Sequence, residues 1–388
     1  MATSRLSYHD RWVAVVVFLV FLQFDIEPSR PNYVLLLAPL VLAIVAVGPL
    51  LRYPIRSDSR VLLIAGVVIA LPWALINPGY SLVRLGIVVM GGSAGLLAFS
   101  VWSRAADPAG VLRRVIWFNI AGLLLQWGGF VLSGSVLDLH RTFLPFSRVS
   151  ETDAIHGFGL HRFNGFQLEP GTYSVMVGLL LLLSLALERR TDRVHVVGVV
   201  SLIATRSGGG IAFAAVVVAV ALALSLRRAT TRRLFAVVLT CLSACALALA
   251  SGLLAYVQGR IAAANSGADG SVRLKGNTLN FWWESNAERK LFGSGLFIND
   301  CAECAFINAN GVAFMLVFYL GLLGFLVSVA LLIRGLLTLP TGFALAVGLL
   351  TSRLTLYQPT LWFVLMALTG GGIIAARRNL SSTSDLSG

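Results

Sequence analysis

Apolar runs of roughly 15–25 residues recur from Trp12 to Ala376, separated by short basic connections. A run of that length crosses a ~30 Å hydrocarbon core as a helix, because each backbone N–H and C=O must find its partner within the segment. Strands of a transmembrane barrel would alternate apolar and polar residues instead. The expected fold class is therefore all-α, a polytopic membrane bundle of about twelve helices. Composition agrees: 57% of residues are hydrophobic and 12% charged, against ~25% charged in an average soluble domain. The first run is followed by Asp25 and Pro28 without a small-residue cleavage site, and reads as a retained span rather than a signal peptide. The expected spans are 12–26, 33–51, 60–77, 81–101, 114–133, 170–188, 194–206, 209–226, 234–254, 306–333, 340–354 and 358–376.

The net charge of +13 does not point to nucleic acid, because most of it sits in short connections between apolar runs. The positive-inside rule then orients the chain. Arg5 and Arg11, Arg52, Arg56 and Arg60, Arg104, Arg113 and Arg114, Arg189, Arg190 and Arg193, Arg227, Arg228, Arg232 and Arg233, Arg334, and Arg377 and Arg378 fall on the cytoplasmic side. Both termini are expected there, with residues 1–378 as a single membrane domain and 379–388 as a short disordered tail. The two longest hydrophilic stretches, about 134–169 and 255–305, then face outward. The inner connections are short and basic, with little room for a catalytic site, so the activity is expected at the outer face of the membrane.

Among the arginines outside that cytoplasmic set, Arg84, Arg162, Arg206 and Arg353 are the informative ones. Arg193 and Arg206 bracket twelve residues, and a helix of that length climbs roughly 20 Å, short of the hydrocarbon core. Arg206 is thus expected at a turn below the outer surface, where irregular backbone survives only in protein or beside a wet cavity. Arg353 repeats the pattern thirteen residues after Pro340. Arg84 lies near the outer end of the fourth span, and Arg162 shortly before the sixth. Each taken singly fits snorkelling or pairing with a carboxylate such as Glu169. Together they describe an outward-open cavity suited to a phosphate or diphosphate.

The stretch T-R-S-G-G-G (205–210) fits such a cavity. Ser207 is placed to cap a helix beginning near Gly209, and glycines such as Gly208 and Gly209 let a ligand approach backbone N–H groups closely. The same glycines also suit close helix packing or a tight hairpin. In R-F-N-G-F-Q-L-E-P-G (162–171), Pro170 suits the first helical turn and Glu169 lies beside its N-terminus. Glu169 reads either as a helix cap or as a carboxylate that pairs with arginine or accepts a hydroxyl proton.

Arg162, Gly165, Glu169 and Pro170, followed by Thr205, Arg206, Ser207 and Gly208, resemble the motifs of the bacterial O-antigen ligase/polymerase family. The Arg-Ser order is inverted relative to the family's usual Ser-Arg. L-F-G-S-G-L (291–296) and N-G-V-A-F-M-L-V-F-Y-L-G-L-L-G (310–324) resemble its later glycine-bearing passage. The resemblance covers about residues 160–325. It implies an inverting glycosyltransferase needing neither metal nor cofactor, with a glycan on undecaprenyl diphosphate as donor. Arg162 and Arg206 would hold the diphosphate; Gly165 and, from the cavity reading, Arg84 and Arg353 are the further substrate-binding candidates. Partners would be the lipid-linked donor, a glycan acceptor, membrane lipid and other polysaccharide-assembly membrane proteins. Family ligases often carry a histidine late in the large outer loop. Residues 254–310 hold none, and I-N-A-N-G (307–311) stands there, which favours a polymerase. His140, His156 and His161 belong to the earlier loop, where a base role competes with simple solvation.

Cys301 and Cys304 form C-A-E-C on the outer side, which permits a disulfide, free thiols or, with Asp300 or Glu303, a metal. Trp282 and Trp283 suit stacking on sugar rings as well as anchoring at the interface. Asp25 and Glu27 resemble the acidic pair of other multispan glycosyltransferases, in a very short loop. A transporter or flippase for an anionic lipid-linked solute is the reading from another class. It would need half-helix breaks related by repeat symmetry, and the breaks near 206 and 353 show no matching repeat.

Overall fold

The computed structural model describes residues 8–22, 78–143, 161–226, 258, 259, 262, 266, 270–295, 307, 310–338 and 340–369. Among them there are helices and no strands. In chain order these are α1 (Tyr8–Val20), α2 (Pro78–Trp102), α3 (Pro108–Ser133), α4 (Leu139–Phe143), α5 (Pro170–Glu188), α6 (Arg193–Ala204), α7 (Gly208–Leu226), α8 (Gly270–Glu284), α9 (Ala287–Phe292), α10 (Val312–Leu320), α11 (Leu322–Leu336), α12 (Thr341–Thr351) and α13 (Pro359–Thr369). The segments expected at 33–51, 60–77 and 234–254 lie outside the described residues, as do Asp25, Glu27, His156, Cys301, Cys304 and the 379–388 tail.

Among the described residues three helices are long and apolar enough to cross a membrane: Pro108–Ser133, Pro170–Glu188 and Gly208–Ser225. Shorter apolar helices accompany them, α6, α11, α12 and α13 among them. This is the helical, membrane-associated chain that the hydropathy implies.

The centre of the bundle is α5. It is apolar on every side, and from Tyr173 to Leu187 each residue is buried. A helix without a polar face belongs in a core. It packs against α3, α6, α7, α12 and α13. Pro170 opens it in the first turn, where its missing N–H costs nothing. Beside α5, α3 is capped by Asp107 Oδ1, which accepts from Gly110 N at 2.8 Å, and ends at Gly134 in the left-handed region. The arginine-rich ends of α3 and α5 are cross-linked. Arg113 pairs with Glu188, whose side chain is nearly buried, and lies 3.5 Å from Asp107.

The segment expected as one span over 306–333 is instead two helices. The chain breaks at Gly321, with φ 57° and ψ −132°, between α10 and α11. The cause is the L-F-G-S-G stretch, which lies against the break: Ser294 N donates to Phe318 O at 2.8 Å and Gly295 N to Tyr319 O at 3.1 Å. A Cβ on Gly293 would stand 2.2 Å from Tyr319 O, and one on Gly321 2.3 Å from Leu291 O. Two backbones therefore touch where the sequence has glycine on both sides.

Candidate functional site

Residues 161–169 carry no regular structure, yet Phe163 to Leu168 are all buried. What sequence reasoning took as the end of an outward-facing loop is folded back into the helix bundle. Its peptide groups are met by side chains of α3, as buried irregular backbone requires. Gln126 Oε1 accepts from Asn164 N at 2.8 Å and Gly165 N at 2.9 Å. Gln167 Nε2 reaches Asn119 Oδ1 at 3.3 Å and Phe21 O of the segment following α1 at 2.9 Å. Asn164 Nδ2 donates to Gln167 O within the loop. His140 of α4 is wholly buried, with Nδ1 2.8 Å from Phe166 O. Gly165 turns with φ 57°, its α-carbon set against the backbone of Leu123 and Asn119. Phe166 sits over Gly122, stacked on Phe118 at 4.8 Å.

This seating fixes Arg162, the second residue of the loop. Arg162 is half-buried, and its Nε is buried without a hydrogen-bond partner among the described residues. Glu169 is the N-cap residue of α5, but its side chain makes no capping bond to that helix. Of the two readings of this carboxylate, the cap is not the one adopted.

The T-R-S-G-G-G stretch forms a tight turn joining α6 to α7. At twelve residues α6 rises ~18 Å, well short of a full crossing. Arg206 occupies the left-handed region, φ 51°. A side chain there costs on the order of 1–2 kcal/mol, and such residues persist where the surroundings enforce them. Arg206 Nη1 donates to His161 O at 3.3 Å, so the guanidinium reaches the residue beside Arg162. The His161 ring lies on Phe130 with centroids 4.4 Å apart.

Three buried hydroxyls enforce the turn. Ser207 Oγ lies 2.7 Å from Ser174 Oγ and 3.1 Å from Thr205 Oγ1, and Ser174 lies 3.2 Å from Thr205. Ser174 donates to Pro170 O at 2.8 Å and Thr205 to Leu202 O at 2.7 Å. Each hydroxyl has one proton, so Ser207 is left to donate to Ser174 or Thr205 while accepting from Gly210 N at 2.9 Å. Ser207, which follows Arg206, thereby packs its hydroxyl against Ser174 of α5, with the Thr205 hydroxyl beside both. Ser207 is the N-cap of α7, and its hydroxyl is committed to the turn.

The three glycines differ in role. A Cβ on Gly210 would meet Leu202 O at 2.3 Å, Thr205 Oγ1 at 2.7 Å and Ser174 Oγ at 2.9 Å. Gly208 is exposed and would meet nothing within 4 Å; Gly209, also exposed, would meet only Ser174 Cβ at 4.0 Å. Packing requires the third glycine alone. The first two leave the opening N–H groups of α7 uncovered, a local arrangement that favours anions.

Among the described residues no hydrogen bond or ion pair joins the remaining sequence-derived candidates to this pair. Arg353 is exposed after α12, next to Ser352, whose carbonyl accepts from Val312 N at 3.0 Å. Among the described residues no contact joins it to Arg162 or Arg206. Arg84 falls within α2, seven positions before Gly91, which abuts Tyr357 O; the Arg84 side chain lies outside the described residues. Trp282 is half-buried against Phe318, centroids 5.7 Å apart, and belongs to the contact of α8 with α10. Trp283 is 78% exposed, with Lys290 Nζ 5.7 Å from its ring centroid.

Sequence reasoning passed over Gln126, Asn119, Asn164, Gln167 and Ser174. The available signal was polarity in the wrong place: Asn119 and Gln126 are seven apart on one face of an apolar helix, where amides are costly unless they hold something. No protein-family model and no curated protein matches this sequence.

Proposed function

We propose that this chain is a cell-envelope glycosyltransferase that takes an oligosaccharide from a lipid diphosphate and adds it to the non-reducing end of another lipid-linked glycan. The observation that carries this reading is the Arg206 turn: a left-handed arginine, stapled in place, reaching the residue beside Arg162 and followed by uncovered N–H groups of α7. Two guanidiniums and a helix N-terminus together suit the charge of a diphosphate.

In the proposed reaction the acceptor hydroxyl oxygen attacks the anomeric carbon, the hydroxyl proton passes to Glu169, and the bond to the diphosphate oxygen breaks with its electron pair. Attack opposite the leaving group inverts the anomeric centre. Arg162 and Arg206 stabilise the charge gathering on the departing diphosphate, and preorganised donors of this kind are worth several kcal/mol of barrier. The site faces the extracytoplasmic side of the inner membrane in this reading, with both termini in the cytoplasm.

Purified protein supplied with a lipid-diphosphate oligosaccharide tests the proposal. Longer lipid-linked glycans are expected, and Arg162→Ala or Arg206→Ala should abolish them while the protein remains folded. Transfer only to a different acceptor would make it a ligase. Flipping of the lipid-linked glycan without any transfer would overturn the enzymatic reading, and full activity in either arginine variant would remove the diphosphate assignment.

A further inference from the structure

Gln126 lies wholly buried inside the apolar helix α3. An amide in such a place is costly unless its donors and acceptor are met. Here its bonds run almost entirely to the Arg162 loop. Oε1 takes two backbone N–H groups, those of Asn164 and Gly165, and Nε2 donates to Asn164 Oδ1 at 2.8 Å. The remaining Nε2 proton goes to Leu137 O at 2.9 Å, just before α4. One side chain thus holds the loop two and three residues after Arg162, and also the chain leading to His140, which itself lies against Phe166 O.

We propose that Gln126 is a positioning residue: it latches the 161–169 loop to α3 and so fixes where the Arg162 guanidinium stands relative to Arg206. The functional half of this rests on the reading of Arg162 as a diphosphate-binding group; the latch itself does not. The chemistry demands an amide. Leucine would leave two buried N–H groups unmet. An ionised glutamate would set a negative oxygen against Leu137 O and Asn164 Oδ1, both acceptors. A protonated glutamic acid still accepts from both N–H groups and restores one donor. Gln126→Glu should therefore work only while protonated.

Amide hydrogen exchange and glycan transfer, measured on the full-length protein, test this together. Gln126→Leu is expected to speed exchange at Asn164 and Gly165 by about tenfold or more, the loss of net hydrogen bonds at a buried site, and to lower kcat/KM for transfer. Gln126→Glu is expected to lose transfer relative to wild type as pH rises, and to regain it when pH is lowered again on the same sample. His140, His161, Arg162 and Glu169, the titratable groups on or against the 161–169 loop, are present in both proteins, so the ratio isolates position 126. The pH arm keeps the test decisive if the leucine variant fails to fold. Unchanged exchange at Asn164 and Gly165 in Gln126→Leu would overturn the latch. Faster exchange with undiminished transfer, or a wild-type pH profile in Gln126→Glu, would overturn the positioning role. If wild type transfers no glycan, the proposed reaction fails while the exchange data still decide the latch.

Discussion

Alanine at Gly208 and at Gly210 should have opposite effects on stability, although the positions are two residues apart in the same first turn of α7. At Gly210 the new Cβ would stand 2.3 Å from Leu202 O, about 1 Å inside ordinary contact, and would also crowd Thr205 Oγ1 and Ser174 Oγ. Forcing a methyl into a packed site costs about 1–3 kcal/mol, and displacing a hydroxyl of the staple adds about 1 kcal/mol. Against this, the helix gains no more than ~1 kcal/mol from replacing glycine. The expected net loss is about 1–3 kcal/mol. At Gly208 the space is open and the backbone already helical, so alanine should stabilise by about 0.4–1 kcal/mol through the unfolded chain. Equilibrium unfolding of the two variants in one detergent separates these outcomes, and parallel transfer assays read function. Gly208→Ala should be the more stable protein and, if the proposed diphosphate site is right, the poorer enzyme, because it adds a methyl at the exposed N-terminus of α7. Equal stability of the two variants would refute the assignment of Gly210 to packing. A destabilised Gly208→Ala would refute the open approach to the helix terminus.

Arg206→Gly separates the strain of the turn from the charge it presents. Stability should stay level or rise by up to about 1 kcal/mol, since glycine tolerates φ 51°, while glycan transfer is lost; retained transfer would show that the guanidinium is dispensable. At the opposite end of α6, burial pushes the Asp192 carboxyl up, but the hydrogen bond and charge of His195, with Arg113 beyond, outweigh it and hold the group below its ordinary 3.8. A depressed folded value means the unfolded chain binds more protons, so this contribution is present above pH 3.8 and fades as pH falls through the lower folded value. Unfolding measured on that acid limb should show a shallower decline in Asp192→Asn, which still caps α6; an unaltered slope would dissociate the carboxylate from acid stability.

Local patterns carried much of this protein. Pro170 marked the start of α5 because a missing N–H is harmless only there. The twelve residues between Arg193 and Arg206 gave a short helix by arithmetic alone, and α6 is that helix. Ser207 capped the following helix as its residue type and position required. What the sequence did not show depends on partners distant along the chain. The run over 306–333 looked continuous because hydropathy does not register a break caused by contact with Gly293, a residue from a preceding segment. Within the hydrophilic 134–169 stretch Asn164 and Gln167 are polar, yet their partners Gln126 and Asn119 make them buried residues.

The sequence by itself determined that the chain is a helical membrane protein, with an arginine turn set inside it, because apolar length and charge act within each segment. Only the tertiary structure decided which glycine of three is needed for packing and which leaves a helix terminus bare. Only it decided, too, that Gln126 would meet a loop 38 residues away. Such choices depend on which surfaces come together, and a buried donor takes its partner from space rather than from sequence neighbours.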